Sequence, residues 1–299
     1  MKKIKSIIGG AVHVLGTPFI PVYLIKGKDY AIIEGGLSMM WHIVKRQLSN
    51  LNVETQDISH LLFAHSHLDH VGMARLMKKE NPNLHIAGTK EIAQALAAEV
   101  YNDSMKRMDE NFEKILNLKF PPDHEASRSE KINVDVILEE DKPLDLGNGI
   151  KIEVIKTPGH SPCSTCVYIR DKQTMFISDS AGLILSGTQM MPMIFYSYKK
   201  LISSLENLSK YDVDTICLGH FAVIEGADAK DFFRKAKSDA AAFRDFVLKA
   251  YENKKEIGEV VKLLEPEYKK GNVASLPDIF FEGSAQTMVI ILLREEGMI

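Results

Sequence analysis

The chain has 299 residues, and its 37 Lys and Arg against 40 Asp and Glu give a formal net charge of −3. Hydrophobic residues make up 45% and charged residues 26%, a composition that is ordinary for a globular protein and excludes a disordered chain. A dedicated nucleic-acid binder is also disfavoured, because phosphate recognition usually leaves a basic excess.

Short apolar runs separated by Gly and Pro predict a meander of strands over residues 1–35. Beyond this meander, strands and helices alternate. The predicted strands are 60–64, 84–87, 134–138, 150–155, 166–169, 174–178 and 213–217. The predicted helices in this part are 38–50, 71–80, 89–118 and 198–209. Pro121 and Pro122 end the third helix, because proline cannot continue a helix.

The alternation occurs twice, which predicts a layered α/β domain with two similar halves over residues 1–225. From about residue 228 the strand signal stops, and helices are predicted at 228–253, 254–269 and 284–296. We therefore expect residues 226–299 to form a C-terminal helical cap.

Residues 65–70 have the pattern His-x-His-x-Asp-His and place four potential metal ligands within six positions. On an extended segment residues i and i+2 face the same way, so His65 and His67 are expected to share one metal ion. A turn after His67 would direct Asp69 and His70 to a second ion nearby. The apolar strand before the motif provides a rigid base.

Three further candidate ligands lie just beyond predicted strands, where α/β folds build their sites. They are His160 in a Thr-Pro-Gly-His segment, Asp179 after the strand 174–178, and His220 in a Gly-His pair after the strand 213–217. Each is a weak signal by itself, because a lone histidine after a strand is more often structural. Their order behind residues 65–70 makes the whole set a strong prediction of a metal site.

This ordered set resembles the metallo-β-lactamase superfamily, and the resemblance covers residues 1–225. It implies a four-layer αβ/βα sandwich, followed here by the helical cap. It also implies two divalent metal ions, the first bound by His65, His67 and His160, the second by Asp69, His70 and His220, and both by Asp179. Asp69 and Asp179 would act in catalysis. Glu34, where aspartate is common in the family, would orient a ligating imidazole.

The layout is most similar to the quinolone-signal response thioesterases of this superfamily, which also carry a C-terminal helical cap. The shared features include Glu34-Gly35-Gly36 after an early strand and Gly283-Ser284 at the predicted start of the last helix. The resemblance implies that Ser284 reaches toward the ligand. Where those relatives have an acid a few residues beyond Asp179, this chain has Leu183, so a less polar or differently shaped substrate is expected.

These features predict a dinuclear metallohydrolase in which a water or hydroxide between two ions attacks an ester-type bond. A thioester is preferred, because a thiolate leaves without strong help from an acid. Amide hydrolysis would need a proton donor, and Tyr196 and Tyr198 lie in a loop that could face the site. An ordinary half-buried role is favoured for both, and Tyr196 is kept as a pocket candidate.

Several alternatives stay open. An iron-dependent oxidoreductase of the sulfur dioxygenase type keeps the same first motif, and a lactonase or phosphodiesterase would share the whole ligand set. A regulatory binding protein would use the metal site as a scaffold. Zinc is the first choice of metal, with iron and manganese as alternatives, since imidazole and carboxylate suit all three.

The expected partner is a small-molecule substrate, with no nucleic acid and no membrane, and a homodimer is left open. No apolar run reaches the roughly 18 residues of a membrane span. Three cysteines, Cys163, Cys166 and Cys217, do not form an even disulfide framework, so a cytoplasmic location is expected. A redox role for Cys163 and Cys166 is left open, although simple packing is favoured.

Overall fold

The computed structural model describes residues 5–8, 10–98, 107, 131–221 and 223–299. The predicted helix at 89–118 is therefore described to residue 98 and at residue 107 only, and Pro121 and Pro122 lie outside the described residues. The first part of the predicted helix is observed as a helix at Lys90–Ala97. Within the described residues the strands form three sheets.

Seven strands form the first sheet, and their order in the sheet is their order in the chain. They are β1 (Lys5–Ile8), β2 (Val12–Gly16), β3 (Pro21–Lys26), β4 (Tyr30–Ile33), β5 (Ile58–Leu62), β6 (His85–Gly88) and β7 (Val136–Ile137). The pairs from β1 to β4 are antiparallel, as in the predicted meander, and those from β4 to β7 are parallel. Parallel neighbours need a crossover connection, which explains why helices appear only after β4.

The helices between these strands are α1 (Trp41–Ser49), α2 (Leu68–Val71), α3 (Ala74–Glu80) and α4 (Lys90–Ala97). In α1 the buried residues Trp41, Val44 and Leu48 recur at helical spacing and form its apolar face. The indole nitrogen of Trp41 donates a hydrogen bond of 2.9 Å to Glu80 at the end of α3. The crossover helices are thus held by apolar burial and by a polar contact at their ends.

The second sheet has the strand order β15-β14-β11-β10-β9-β8. Its strands are β8 (Leu144–Asp145), β9 (Lys151–Lys156), β10 (Thr165–Ile169), β11 (Thr174–Ser178), β14 (Thr215–Leu218) and β15 (Val223–Glu225). A separate antiparallel hairpin is formed by β12 (Leu183–Ser186) and β13 (Gln189–Met191). The strands β8, β12, β13 and β15 were not predicted, because two to four residues are too few to show a periodicity.

Four more α-helices lie in the described part: α5 (Tyr198–Leu208), α6 (Ala227–Lys254), α7 (Ile257–Tyr268) and α8 (Asp278–Glu295). The predicted start of the last helix was wrong, because α8 begins after Pro277 and Gly283 lies inside it. Phe281 and Ala285 on either side of Gly283 are buried at i and i+4, so packing holds the helix through this glycine.

By their internal contacts the described residues group into two compact units. One contains the residues up to Ile155 together with Val167–Lys172, and the other contains Lys156–Cys166 together with Gln173–Ile299. The boundary at residue 225 and the separate cap over 226–299 stay predictions. Among the described helices, none has the length and apolar character that a membrane crossing requires.

Candidate metal centre

The segment that follows β5 brings three imidazole rings together. His65 and His67 lie in it, and His67 directly precedes α2, so the predicted turn is the start of a helix at Leu68. The ring centre of His65 lies 4.6 Å from that of His67 and 4.2 Å from that of His70. One strand end and one helical turn therefore supply three neighbouring nitrogen donors.

Glu34 holds the ring of His70. The Nδ1 atom of His70 lies 2.6 Å from Oε2 of Glu34, and both side chains are buried. The backbone supports this contact, since the N–H of Gly35 donates to the carbonyl of His70 at 2.7 Å. A carboxylate beside Nδ1 fixes the tautomer that carries the proton there, which leaves Nε2 as the candidate ligand atom. Oδ2 of Asp69 lies 3.5 Å from that Nε2.

His160 is held in a similar way by a backbone carbonyl. Its Nδ1 lies 2.8 Å from the carbonyl oxygen of Met193, and Phe195 lies against the ring with a centroid distance of 5.2 Å. The Nδ1–H therefore donates to Met193, and Nε2 is the atom left for a metal. This Nε2 lies 3.5 Å from Oδ2 of Asp179.

Asp179 stands directly after β11, and His220 stands shortly after its neighbour β14. These two strands are parallel, so their carboxyl ends meet at one edge of the sheet. Nε2 of His220 lies 3.5 Å from Oδ1 of Asp179. The two oxygens of one buried carboxylate thus face two different imidazoles, His160 and His220.

Positive backbone φ angles flank this edge. Ser178, just before Asp179, has a φ of 48°, and Phe221, just after His220, has a φ of 67°. Residues other than glycine seldom adopt this region, and such conformations cluster at functional sites. The strained residues are the immediate neighbours of two candidate ligands.

The seven predicted ligands fall into two groups. His65, His67, His160 and Asp179 form the first, and Asp69, His70 and His220 form the second. Within each group the candidate ligand atoms all lie within 4.8 Å of one another. Each of the seven residues that the sequence singled out therefore belongs to one of these two groups.

The donor types and the spacing both fit a divalent cation. Metal–nitrogen and metal–oxygen bonds of about 2.1 Å around a tetrahedral ion put neighbouring ligand atoms about 3.4 Å apart. The three His–Asp distances across this centre are each 3.5 Å, close to that spacing. Imidazole and carboxylate are borderline and hard donors, which suits first-row divalent ions.

The other three predicted site residues lie in different surroundings. Leu183 is buried at the start of β12, and Ser284 is half-buried within α8. The side chain of Tyr196 is exposed, and its hydroxyl accepts a hydrogen bond of 3.0 Å from Lys200. Their roles in a substrate pocket stay predictions.

The two cysteines after His160 are buried and reduced. Cys166 lies 3.5 Å from the hydroxyl of Thr157, and Cys163 lies 3.4 Å from the hydroxyl of Ser161. Small polar neighbours pack against both sulfur atoms, in keeping with the favoured packing role. A redox function for the pair stays an untested hypothesis.

Sequence reasoning missed the contribution of Met193. Its carbonyl orients His160, and any residue other than Met would provide the same carbonyl, so no sequence signal marks the position. A backbone acceptor of this kind is found only once the loop has been traced in three dimensions.

Comparison with known proteins agrees with the family resemblance seen in the sequence. The family model described as "Metallo-beta-lactamase superfamily" matches residues 15–220. A metallo-beta-lactamase family protein from Thermus thermophilus is similar in structure with a TM-score of 0.69 at 18% identity, over 96% of this chain and 94% of that one. The subclass B3 metallo-beta-lactamase BJP-1 of Bradyrhizobium japonicum has a TM-score of 0.57 at 19% identity, over 80% and 91%.

The native metallo-beta-lactamase FEZ-1 from Legionella gormanii gives a TM-score of 0.58 at 15% identity, over 81% of this chain and 97% of that chain. At these identities the similarity concerns the fold, and it confirms the predicted fold class with its added C-terminal helices.

Proposed function

Because the chain belongs to the metallo-beta-lactamase superfamily, we propose that it is a metal-dependent hydrolase of an ester-type bond, with a thioester as the preferred substrate. Most members of the superfamily are metal-dependent hydrolases, and the His/Asp cluster fits a metal site. The observation that carries the proposal is Asp179, whose two oxygens each face an imidazole from a different ligand group. This arrangement supports a pair of ions that share one carboxylate.

In this proposal the first group, with His65, His67 and His160, holds one ion, and the second group, with Asp69, His70 and His220, holds the other. Divalent ions bound there would supply Lewis acidity and lower the pKa of water from about 15.7 to near 7. Zinc is the first candidate, and iron and manganese are alternatives.

The protein's own part is to fix each donor before substrate arrives. Glu34 accepts a hydrogen bond from the Nδ1–H of His70, and the Met193 carbonyl accepts one from the Nδ1–H of His160. The Nε2 atoms of both histidines are therefore oriented without reorganisation. Asp69 differs from Asp179 in exposure, with 25% of its side chain accessible against 6%. Asp69 is therefore the carboxylate placed to accept a proton during hydrolysis.

The preference for a thioester is supported by the surroundings of Tyr196 and Tyr198, the two candidate proton donors. The hydroxyl of Tyr196 is already the acceptor for Lys200. Burial raises the pKa of Tyr198, with Arg244 acting against it, and the Arg244 guanidinium lies 5.7 Å from the centre of the Tyr198 ring. The Tyr196 hydroxyl thus lies beside Lys200, and the raised pKa makes Tyr198 a weaker proton donor. A thiolate leaves without a proton from such a group, whereas an amine does not.

The test is a substrate panel on metal-loaded protein, covering acyl thioesters, aryl esters, lactones, phosphodiesters and β-lactams. We expect hydrolysis of thioesters above the rest, with activity reduced at least about 100-fold in His67→Ala and Asp179→Ala. His42→Ala is the matched control, because His42 is an exposed histidine outside both ligand groups. Metal-replete protein that cleaves no ester-type bond would contradict the proposal. Oxygen consumption with a persulfide would favour the sulfur dioxygenase alternative instead.

A further inference from the structure

The loop that carries His160 lies directly on the first turns of α5. The carbonyl of Gly159 accepts a hydrogen bond of 3.0 Å from the N–H of Ser197, and Ser204 in α5 donates to the carbonyl of Pro158 at 2.8 Å. A Cβ atom at Gly159 would lie only 2.4 Å from Cα of Leu201. The position of His160 therefore depends on the position of the start of α5.

A carboxylate from the other end of the chain fixes that start. Ser197, the N-cap of α5, donates from its hydroxyl to Oε1 of Glu295 at 2.5 Å. The backbone N–H groups of Tyr198 and Lys199 donate to Oε2 of Glu295 at 3.0 and 3.2 Å. The first N–H groups of a helix have no partner within the helix, and the helix dipole favours a negative charge there.

The segment between these two contacts also holds the imidazole. Met193 accepts the Nδ1–H of His160, and Ser197 lies four residues further along the same segment. Glu295 thus acts on one end of a short segment whose other end orients the ring. Loss of the carboxylate would release both the first turn of α5 and the acceptor for His160.

We propose that Glu295, the last residue of α8, is a positioning residue for His160 that acts through Ser197 and Met193. The proposal rests on the proposed function only in taking His160 as a metal ligand. It assigns a specific task to the end of the C-terminal helix, which is to set the affinity of the first ligand group for its ion. Residues that orient metal ligands typically change metal affinity by about 10- to 100-fold.

The first measurement is zinc affinity by competition with a chromophoric chelator. Glu295→Ala should weaken zinc binding about tenfold. Glu295→Gln should have a smaller effect, because its amide oxygen still accepts from Ser197. Some loss should remain, because its NH₂ group cannot accept from a backbone N–H. Glu296→Gln is the matched control, because Glu296 stands next in the chain and accepts from Arg244 rather than from α5.

The second measurement needs no metal. In the metal-free protein, the imidazole N–H signal of His160 is observed by NMR and assigned by its loss in His160→Gln. We expect its exchange with water to be at least about tenfold faster in Glu295→Ala than in the wild type or in Glu296→Gln. A variant that only has a lower melting temperature keeps the slow imidazole exchange, as long as the ring stays in place.

The outcomes separate this proposal from the proposed function. Wild-type zinc affinity and slow imidazole exchange in Glu295→Ala would overturn the positioning role, whatever the activity of the enzyme. If the wild type binds neither zinc nor iron nor manganese, the proposed function fails, and the exchange measurement still decides whether Glu295 positions His160.

Discussion

Glu34 and His70 form a buried pair in which Oε2 of the carboxylate lies 2.6 Å from Nδ1 of the imidazole. Glu34 has a φ of 75°, a backbone region that costs energy for any residue with a side chain. Its N–H donates to the carbonyl of Leu62 at 3.1 Å, which ties the end of β4 to the end of β5. The strained backbone thus aims one carboxylate at one ring.

Replacing Glu34 should weaken the second ligand group. Glu34→Ala is expected to lower metal affinity by about 10- to 100-fold. It should also lower the free energy of unfolding of the metal-free protein by about 1–3 kcal/mol, because His70 loses this buried acceptor. Glu34→Gln should lose less, since its amide oxygen still accepts. Chelator competition and urea unfolding measure the two effects.

The control for Glu34 is Glu139→Gln, which removes an exposed charge whose partner is Lys142. An exposed pair of this kind is screened by solvent, and it lies outside both ligand groups. Equal metal affinity in Glu34→Ala and Glu139→Gln would mean that Glu34 does not support the ligand.

Gly159 should tolerate no side chain. Because a Cβ there would lie 2.4 Å from Cα of Leu201, Gly159→Ala should lower the free energy of unfolding by about 1–3 kcal/mol and weaken metal binding. Gly149→Ala is the control, since Gly149 has a φ of 76° with nothing within 4 Å of its would-be Cβ. Only backbone strain is expected there, with metal affinity unchanged. Normal metal binding in Gly159→Ala would argue against the close packing on α5.

Gly283 offers a test of where α8 begins. Inside a helix and with open space around it, Gly283→Ala should raise the free energy of unfolding by about 0.5–1 kcal/mol. At a helix start, as the sequence predicted, alanine would remove a favourable capping residue and lower stability. The sign of the change in urea unfolding therefore decides between the two positions.

His60 should make stability depend on pH. Burial lowers its pKa from 6.5, nearby His85 lowers it further, and Asp29 acts in the opposite direction. The unfolded chain then binds more protons than the folded one between the lowered value and 6.5, so this contribution to stability grows as pH rises and is lost as pH falls through that window.

His60→Gln should flatten the pH dependence of unfolding below pH 6.5 relative to the wild type. His42→Gln is the control for the loss of one histidine, because its side chain is exposed. Urea unfolding at a series of pH values measures the slope. A slope that is unchanged in His60→Gln would show that other groups carry the pH dependence.

The sequence by itself determined the main strands and helices and the family, and it singled out seven candidate metal ligands. This was possible because those features are local: the pattern of residues 65–70, and a His or Asp directly after a strand, can be read without knowing what packs against them. Parallel strands then bring such positions to one edge of a sheet.

Only the tertiary structure decided how those residues are held. The carbonyl of Met193 and the carboxylate of Glu295 carry no sequence signal, because an acceptor for His160 or for the start of α5 is defined by folding, not by residue type or spacing. The start of α8 also differs from its prediction, since buried Phe281 and Ala285 outweigh the low helix propensity of Gly283. The pattern of each element shows which of its faces is buried, but which distant residues meet at that face is set by the tertiary packing.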